Sequence, residues 1–190
     1  PGEQCDDGNN DAGDGCVACM LEAQSYPVGA SQAGPIALSG DVALSGSRVL
    51  RLDSGQWVPV ADLAGCGGNT PSAVALAGDW AFLGCAGTVE VHRRTGPNTW
   101  TFRDTLFGGT GFGLALAADG DVLVVGDPTD ESAHVYRAVA DVWTAEALLA
   151  PAAAGEGYAT SVAVRGDRVA VGAPAAEMGA GAAYGYEFDG

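Results

Sequence analysis

Hard oxygen ligands are crowded into the first residues of the chain. The stretch "CDDGNNDAGDGC" (5–16) places Asp6, Asp7, Asn9, Asn10 and Asp14 in a glycine-rich turn. Carboxylate and amide oxygens in such a setting are the ligands that Ca²⁺ prefers. The same residue types also form ordinary solvated turns. The pattern therefore leaves two alternatives, a calcium site and a plain turn held by a disulfide.

The five cysteines indicate an oxidising compartment. Three of them, Cys5, Cys16 and Cys19, lie within 15 residues of one another, and the other two are Cys66 and Cys85. Cysteines at this density in a short segment are typical of disulfide-stapled extracellular repeats. A zinc site at Cys16 and Cys19 is disfavoured because it needs two further ligands nearby. We predict a Cys66–Cys85 disulfide, with two buried thiols as the alternative.

The sequence carries no recognisable catalytic motif. It has no G-x-S-x-G elbow, no H-E-x-x-H helix and no phosphate-binding Gly-Lys loop. The two histidines, His92 and His134, lie in separate repeats and are expected on strand faces. Carboxylates are abundant, notably Asp127, Asp130 and Glu131, and most of them are expected to be loop residues that face water. We therefore do not expect an enzyme.

Composition limits the partners. The 190 residues are 47% hydrophobic, with no apolar run long enough to cross a membrane. The 24 acidic and 8 basic residues give a formal net charge of −16, which repels phosphate backbones and anionic lipids. We expect neither nucleic-acid binding nor membrane insertion. The sequence opens on Pro1 rather than a methionine, which favours a processed product or a fragment.

Four copies of one pattern follow residue 28. Each copy has a Gly-Asp pair between two apolar runs and a second glycine five residues after the Asp. The pairs are Gly40-Asp41, Gly78-Asp79, Gly120-Asp121 and Gly166-Asp167, which are 38, 42 and 46 residues apart. This spacing is typical of four-stranded propeller blades, and glycine suits the positive φ of a tight hairpin. The pattern predicts that each pair forms the first hairpin turn of a blade.

The fourth copy is incomplete. In the first three copies the fourth strand starts at Trp57, Trp100 or Trp143, which we expect to pack between blades, but the fourth copy stops before such a strand. An open sheet edge invites another strand. The repeat interval predicts that an N-terminal segment supplies it: Met20, Leu21, Glu22, Ala23, Gln24, Ser25 and Tyr26. Supplied within one molecule, which we favour, this strand closes a four-bladed ring. Supplied between molecules, it produces a polymer or a ring shared by two chains.

The domain organisation follows from these patterns. Residues 1–19 are an acidic, cysteine-rich partial repeat, and residues 20–27 are a linker or closing strand. Residues 28–190 form an all-β propeller of about four blades, at 28–65, 66–109, 110–155 and 156–190. The predicted fold class is therefore an all-β, four-bladed β-propeller preceded by a short disulfide-rich segment.

The propeller region resembles the FG-GAP repeats of integrin α-subunits and of many bacterial surface proteins. Phe112-Gly113 opens one copy, and Gly172-Ala173-Pro174 supplies the "GAP" of another. The resemblance implies an FG-GAP-type β-propeller. Two features depart from the family. The turns between first and second strands are too short for its D-x-D-x-D-G calcium loop, and the family usually has seven blades. The resemblance therefore does not imply that the propeller of this chain has the calcium loops of the family.

The N-terminal residues resemble a second family, the cysteine-rich repeat of myxobacterial surface proteins. The matching core is "PGEQCDDGN…GDGC", from Pro1 to Cys16. Cys16 and Cys19 enclose two residues where that family usually has three, and the first cysteine of the repeat would lie before Pro1. One of the three N-terminal cysteines therefore has no family partner here.

Both resemblances imply an exported protein. We expect an extracellular or cell-surface module that is non-enzymatic and serves as a scaffold, in adhesion or in self-assembly. Its partners would be proteins, including copies of itself. The alternative is a propeller that binds or hydrolyses glycans. In the tripeptide Arg-Gly-Asp of residues 165–167, the Gly-Asp pair is the predicted hairpin turn of the fourth copy. We therefore do not expect integrin binding.

Overall fold

The computed structural model describes residues 34–188 and the backbone of residues 16–17 and 20–21. Residues 36–187 consist mainly of β-strands that form four antiparallel sheets in chain order. Among the described residues, helical geometry is confined to two short turns, at Cys66–Gly68 and Ala176–Gly179. The predicted all-β class is confirmed.

Two short strands precede the four sheets. Strand β1 (Cys16–Val17) pairs with β2 (Met20–Leu21) in a sheet of their own, with Cys16 opposite Leu21. Met20 and Leu21 are the only described residues of the predicted closing strand. Residues 22–26 lie outside the described residues, as do Cys5, Cys19 and the predicted calcium ligands Asp6, Asp7, Asn9, Asn10 and Asp14. The closing strand and the calcium site both stay predictions.

Three of the sheets have four strands and the last has three. Sheet 1 comprises β3 (Ile36–Ser39), β4 (Val42–Ser45), β5 (Arg48–Asp53) and β6 (Gln56–Asp62). Sheet 2 comprises β7 (Ala73–Ala77), β8 (Trp80–Cys85), β9 (Thr88–Gly96) and β10 (Thr99–Phe107). Sheet 3 comprises β11 (Ala115–Asp119), β12 (Val122–Asp127), β13 (Ser132–Val139) and β14 (Val142–Leu149). Sheet 4 comprises β15 (Ser161–Arg165), β16 (Arg168–Ala173) and β17 (Ala182–Glu187).

The first turn of every sheet has the same geometry. The glycine of each Gly-Asp pair has φ between 54° and 59°, the left-handed region that glycine adopts without strain. The aspartate carbonyl then accepts a hydrogen bond from the third strand of its own sheet. The donors to Asp41, Asp79, Asp121 and Asp167 are the amides of Leu52, Arg94, Ala138 and Phe188, at 2.7–2.9 Å. The turn thus ties three strands together.

Consecutive sheets lie side by side, with their first strands β3, β7, β11 and β15 adjacent in that order. The apolar core lies between the sheets. Leu44 and Val49 of sheet 1 pack with Leu83 of sheet 2. Phe82 packs with Leu123 between sheets 2 and 3, and Val124 packs with Val171 between sheets 3 and 4. Each strand alternates between its two faces, so both neighbouring sheets receive apolar side chains.

The second glycine of the repeat permits this close packing. A Cβ at Gly84 would overlap the carbonyl oxygen of Gly113, at the start of sheet 3. A Cβ at Gly126 would likewise overlap the carbonyl oxygen of Ala159, which precedes sheet 4. Any larger residue would push the neighbouring sheet away. These two glycines are therefore required by contact between sheets.

Candidate interaction surfaces

The outer edge of the last sheet is open among the described residues. Sheets 1, 2 and 3 each place a fourth strand outside the third, at β6, β10 and β14, whereas sheet 4 ends at β17. The amide of Phe188 donates to Asp167, towards the interior of the sheet. Because N–H groups alternate along an antiparallel strand, the amides of Ala183, Gly185 and Glu187 point outward. We call this row of outward backbone groups the β17 edge.

Tyrosines hold β17 in place from its inner face. The hydroxyl groups of Tyr158 and Tyr186 are 2.7 Å apart, and Tyr158 is fully buried. Burial, with the Tyr186 hydrogen bond, raises the pKa of Tyr158. The Tyr184 hydroxyl donates to the Glu156 carboxylate, which raises the pKa of Tyr184 to about 12. The hydroxyl groups stay protonated at neutral pH and keep these hydrogen bonds. The bonds hold the inner face of β17 and do not involve its outer edge.

The outer face of sheet 4, which we call the trailing face, is made of small and charged residues. The position that follows the Gly-Asp turn is Val42, Trp80 or Val122 in the other sheets, where each side chain packs against the next sheet. In sheet 4 this position is Arg168, whose side chain is 77% exposed and lies 3.2 Å from Glu187. A shallow hollow lined by Ala163, Ala170 and Gly185 lies beside it. No described sheet covers this face.

The opposite end of the array exposes an apolar face. Ile36 pairs with Ser45 and Leu38 pairs with Ala43, so their side chains share the face of sheet 1 that points away from sheet 2. Ile36 is 74% exposed and Leu38 is 64% exposed. We call this the leading face. Ala43 and its partner Leu50 lie on the same face but are buried, so the exposed apolar part of this face is at β3.

In sheets 2 and 3, the face that corresponds to the leading face carries a tryptophan, and this tryptophan packs against the preceding sheet. Trp143 of β14 packs onto sheet 2, with ring centroids 5.5 Å from Trp80 and 5.0 Å from Phe82. Trp100 of β10 packs onto the cluster between sheets 1 and 2. These two positions confirm the predicted packing between sheets. Trp57 shares the leading face with its partner Leu52 and is half-buried, since no described sheet precedes it.

The Arg-Gly-Asp turn is bound to the neighbouring sheet. The Gly166 amide donates to Asp119 at 2.7 Å, and the Arg165 guanidinium lies 3.8 Å from the same carboxylate. Asp167 lies 3.7 Å from the guanidinium of Arg137. The Arg165 side chain is nevertheless 94% exposed. The turn therefore has a role in holding sheet 4 against sheet 3, and the absence of integrin binding stays a prediction.

The predicted disulfide between Cys66 and Cys85 is confirmed. It joins the loop before β7 to the end of β8 across 19 positions of sequence. Closing a loop of this length stabilises a fold by about 3 kcal/mol, through the entropy of the unfolded chain. The Cys66 amide also donates to the carboxylate of Glu90 at 3.0 Å. The disulfide thus fixes the loop that leads into sheet 2.

The structure does not assemble the histidines into a site. His92 on β9 and His134 on β13 belong to different sheets, and burial lowers the pKa of each. His92 lies 3.6 Å from Glu90, and its Nε2 makes no hydrogen bond. Within residues 34–188, no three His, Cys, Asp or Glu side chains form a group that could hold a metal ion.

Asp127 is an exception to the prediction that most of the loop carboxylates face water. Asp127 does not face water but is fully buried at the end of β12. Glu131 binds its own chain, since its carboxylate accepts the amides of Gly155 at 2.6 Å and Gly157 at 2.7 Å. These amide hydrogen bonds lower the pKa of Glu131. A local sequence pattern could not show this, because the partners are more than 20 residues away.

No family model matches the chain. No curated protein matches it either. Among solved structures, a chain in the crystal structure of a mitotic checkpoint complex aligns with a TM-score of 0.56 and 16% identity, over 90% of this chain and 56% of that one. The N-terminal domain of Nup159 aligns with a TM-score of 0.48 and 9% identity, over 72% of this chain and 38% of that one. The chain therefore spans about half, or less, of the solved chains it matches.

The first of these similarities supports the fold alone. Four consecutive antiparallel sheets with adjacent first strands are consistent with a β-propeller, and the matching chain of the mitotic checkpoint complex is propeller-like. In the described part of the chain, no helix is long and apolar enough to span a membrane.

Proposed function

We propose that this chain is a non-enzymatic, extracellular interaction module that associates with other copies of itself by accepting a strand at the β17 edge. The observation that carries the proposal is the three-stranded fourth sheet, beside three sheets that each have four strands. An added strand would satisfy the outward amides of Ala183, Gly185 and Glu187. The four sheets would then be complete blades of an FG-GAP-type propeller.

The exposed faces favour a strand that comes from another molecule. In a ring closed within one molecule, the leading face of sheet 1 would be buried against the trailing face of sheet 4. Ile36 and Leu38 are instead largely exposed. Met20 and Leu21, the first residues of the donor segment that we predict, pair with Cys16 and Val17. The strand that we propose for the β17 edge is the 20–26 segment of a second chain.

Chemistry supports the proposed location. A disulfide between Cys66 and Cys85 forms and persists in oxidising surroundings such as the extracellular space. The formal net charge of −16 disfavours phosphate-rich partners and also repels other copies of the chain, so the strand pairing that we propose must outweigh this repulsion. The partners that we propose are therefore proteins, copies of this chain above all. Calcium in the N-terminal repeat and glycan recognition stay predictions without a supporting contact in the described residues.

The proposal can be tested by blocking one outward amide. Gly185 lies on the trailing face with open space around the position of a Cβ, so Gly185→Ala is a matched control that keeps the amide. Gly185→Pro removes the amide and places a ring on the edge, but leaves the inward hydrogen bonds of β17 intact. Both variants should show the circular dichroism spectrum of the original protein.

Sedimentation velocity over a concentration series separates the outcomes. We expect the original protein and Gly185→Ala to form larger species as concentration rises, and Gly185→Pro to remain monomeric. Equal assembly of all three proteins would contradict strand addition at β17. A strictly monomeric original protein at every concentration would contradict self-association itself.

A further inference from the structure

A buried carboxylate oxygen at the end of β12 has no partner. Asp127 has no solvent exposure, and its Oδ2 makes no hydrogen bond. Its Oδ1 accepts the amide of Asp130 at 3.2 Å, which closes a turn over residues 127–130. One half of the carboxylate therefore has a structural role. The other half is an ionisable oxygen that is cut off from water, which is unfavourable unless a positive charge or a proton compensates it.

A second carboxylate points to the same place. Asp127 Oδ2 lies 3.0 Å from the position that a Cβ would occupy on Gly109, and Asp130 Oδ2 lies closer still to that position. Beside them, Asp127 Oδ1 and the Thr129 hydroxyl both contact the corresponding position on Gly111. The backbone of residues 109–111 therefore closes over several oxygen atoms. Neither glycine leaves room for a side chain between the loop and these oxygens.

The surroundings supply no compensating charge from the described residues. None of their ion pairs includes Asp127 or Asp130. One basic group, His134, interacts electrostatically with both carboxylates. Its imidazole lies against Phe112, with ring centroids 5.1 Å apart, and its Nε2 is 3.3 Å from the Ser132 hydroxyl. Burial lowers the pKa of His134, which favours the neutral imidazole.

The repeat shows what this position does in the neighbouring sheet. Asp127 follows the second glycine of its copy, as Cys85 follows Gly84 in sheet 2. Cys85 is joined by a disulfide to Cys66, in the loop that leads into sheet 2. Asp127 faces residues 109–111, in the loop that leads into sheet 3. In sheet 2 a covalent bond therefore makes the connection, and in sheet 3 two carboxylates face the same kind of loop.

We propose that Asp127 and Asp130 bind a calcium ion at the end of β12, beside the 109–111 loop. Ca²⁺ accepts six to eight oxygen ligands in flexible geometry, including hydroxyl groups, backbone carbonyls and water. The two carboxylates supply the charge, the Thr129 hydroxyl beside them supplies a further oxygen, and water would complete the coordination. This site lies between the second and third strands of its sheet, away from the β17 edge, and does not depend on self-association.

The experiment measures stabilisation by calcium in the 190-residue chain. Protein freed of metal with a chelator is titrated with CaCl₂, and thermal unfolding is followed at each concentration. A site with two protein carboxylates at an extracellular calcium level has a Kd of about 10⁻⁴–10⁻³ M, so we expect the Tm to rise and saturate in the millimolar range. Asp130→Asn, an exposed position, should fold normally and weaken this effect at least tenfold.

Two control variants locate the ion. Asp53→Asn removes an exposed carboxylate of sheet 1 and should leave the calcium effect unchanged. A triple variant, Asp6→Asn, Asp7→Asn and Asp14→Asn, removes the N-terminal candidate ligands and should also keep the Tm rise. Absence of any Tm rise in the original protein would overturn the proposal. So would a rise that persists in Asp130→Asn or disappears in the N-terminal triple variant.

Discussion

Single residues explain why this repeat keeps its pattern. Two glycines recur at fixed positions in every copy of the repeat, and the positive φ of the tight hairpin explains the first of them. The second has a cause that only the packing shows, since Gly84 and Gly126 each meet the backbone of the next sheet. Gly172 occupies the same position in sheet 4, but its Cβ would meet Ser161 of its own sheet. The sequence therefore revealed the repeat, whereas the contact between sheets came from the structure.

Glu131 yields a prediction on pH dependence. Its pKa is lowered in the fold by the amides of Gly155 and Gly157, so its contribution to stability is fully present above its unfolded pKa of about 4.5 and is lost as pH falls through the folded value. We expect the amides of Gly155 and Gly157 to be protected from hydrogen exchange at pH 6 and to lose that protection in acid. In Glu131→Gln, protection should be weak at both pH values.

Glu187→Gln is the matched control, because Glu187 is exposed and pairs with Arg168 at the other end of sheet 4. This variant should keep the protection seen in the original protein. Protection in Glu131→Gln that equals the original at pH 6 would show that the carboxylate does not hold the 155–157 loop.

At the scale of strands and sheets, the sequence predicted much of the fold. Alternating apolar runs and Gly-Asp turns located the strands, and the absent fourth strand of the last copy was visible as a gap. The phase of Trp100 and Trp143 also predicted packing between sheets correctly. The loops were predicted poorly, as Asp127 shows. Burial there depends on residues 109–111, whose approach no local pattern encodes.

The tryptophans test the packing between sheets. Trp143 is 5% exposed and contacts Trp80 and Phe82, so Trp143→Ala should lower the free energy of unfolding by about 3–5 kcal/mol. Trp57 occupies the same position in sheet 1, where no described sheet covers it. In dilute protein, Trp57→Ala should therefore cost about 1 kcal/mol or less. Denaturant unfolding measures both losses, and equal losses would show that Trp57 is packed as tightly as Trp143.

At the scale of the whole molecule, the two ends of the array differ. The leading face is apolar, with Ile36 and Leu38 exposed, and the trailing face carries Arg168 among small residues. The β17 edge adds unpaired backbone groups at the trailing end. Because the two ends differ, the leading face of one molecule would contact the trailing end of the next. Such head-to-tail contacts give a closed ring or a filament, depending on the rotation between neighbouring molecules. Self-association would thus bury both ends.

Hydrogen exchange along β17 tests the central claim most directly. In dilute protein we expect the outward amides of Ala183, Gly185 and Glu187 to exchange fast and the inward amides of Tyr184 and Tyr186 to be protected. As concentration rises, the outward amides should become protected as well, because a second chain supplies the missing strand. Outward amides that exchange fast at every concentration would contradict strand addition, and protection that is equally strong at every dilution would show that the strand comes from the same molecule.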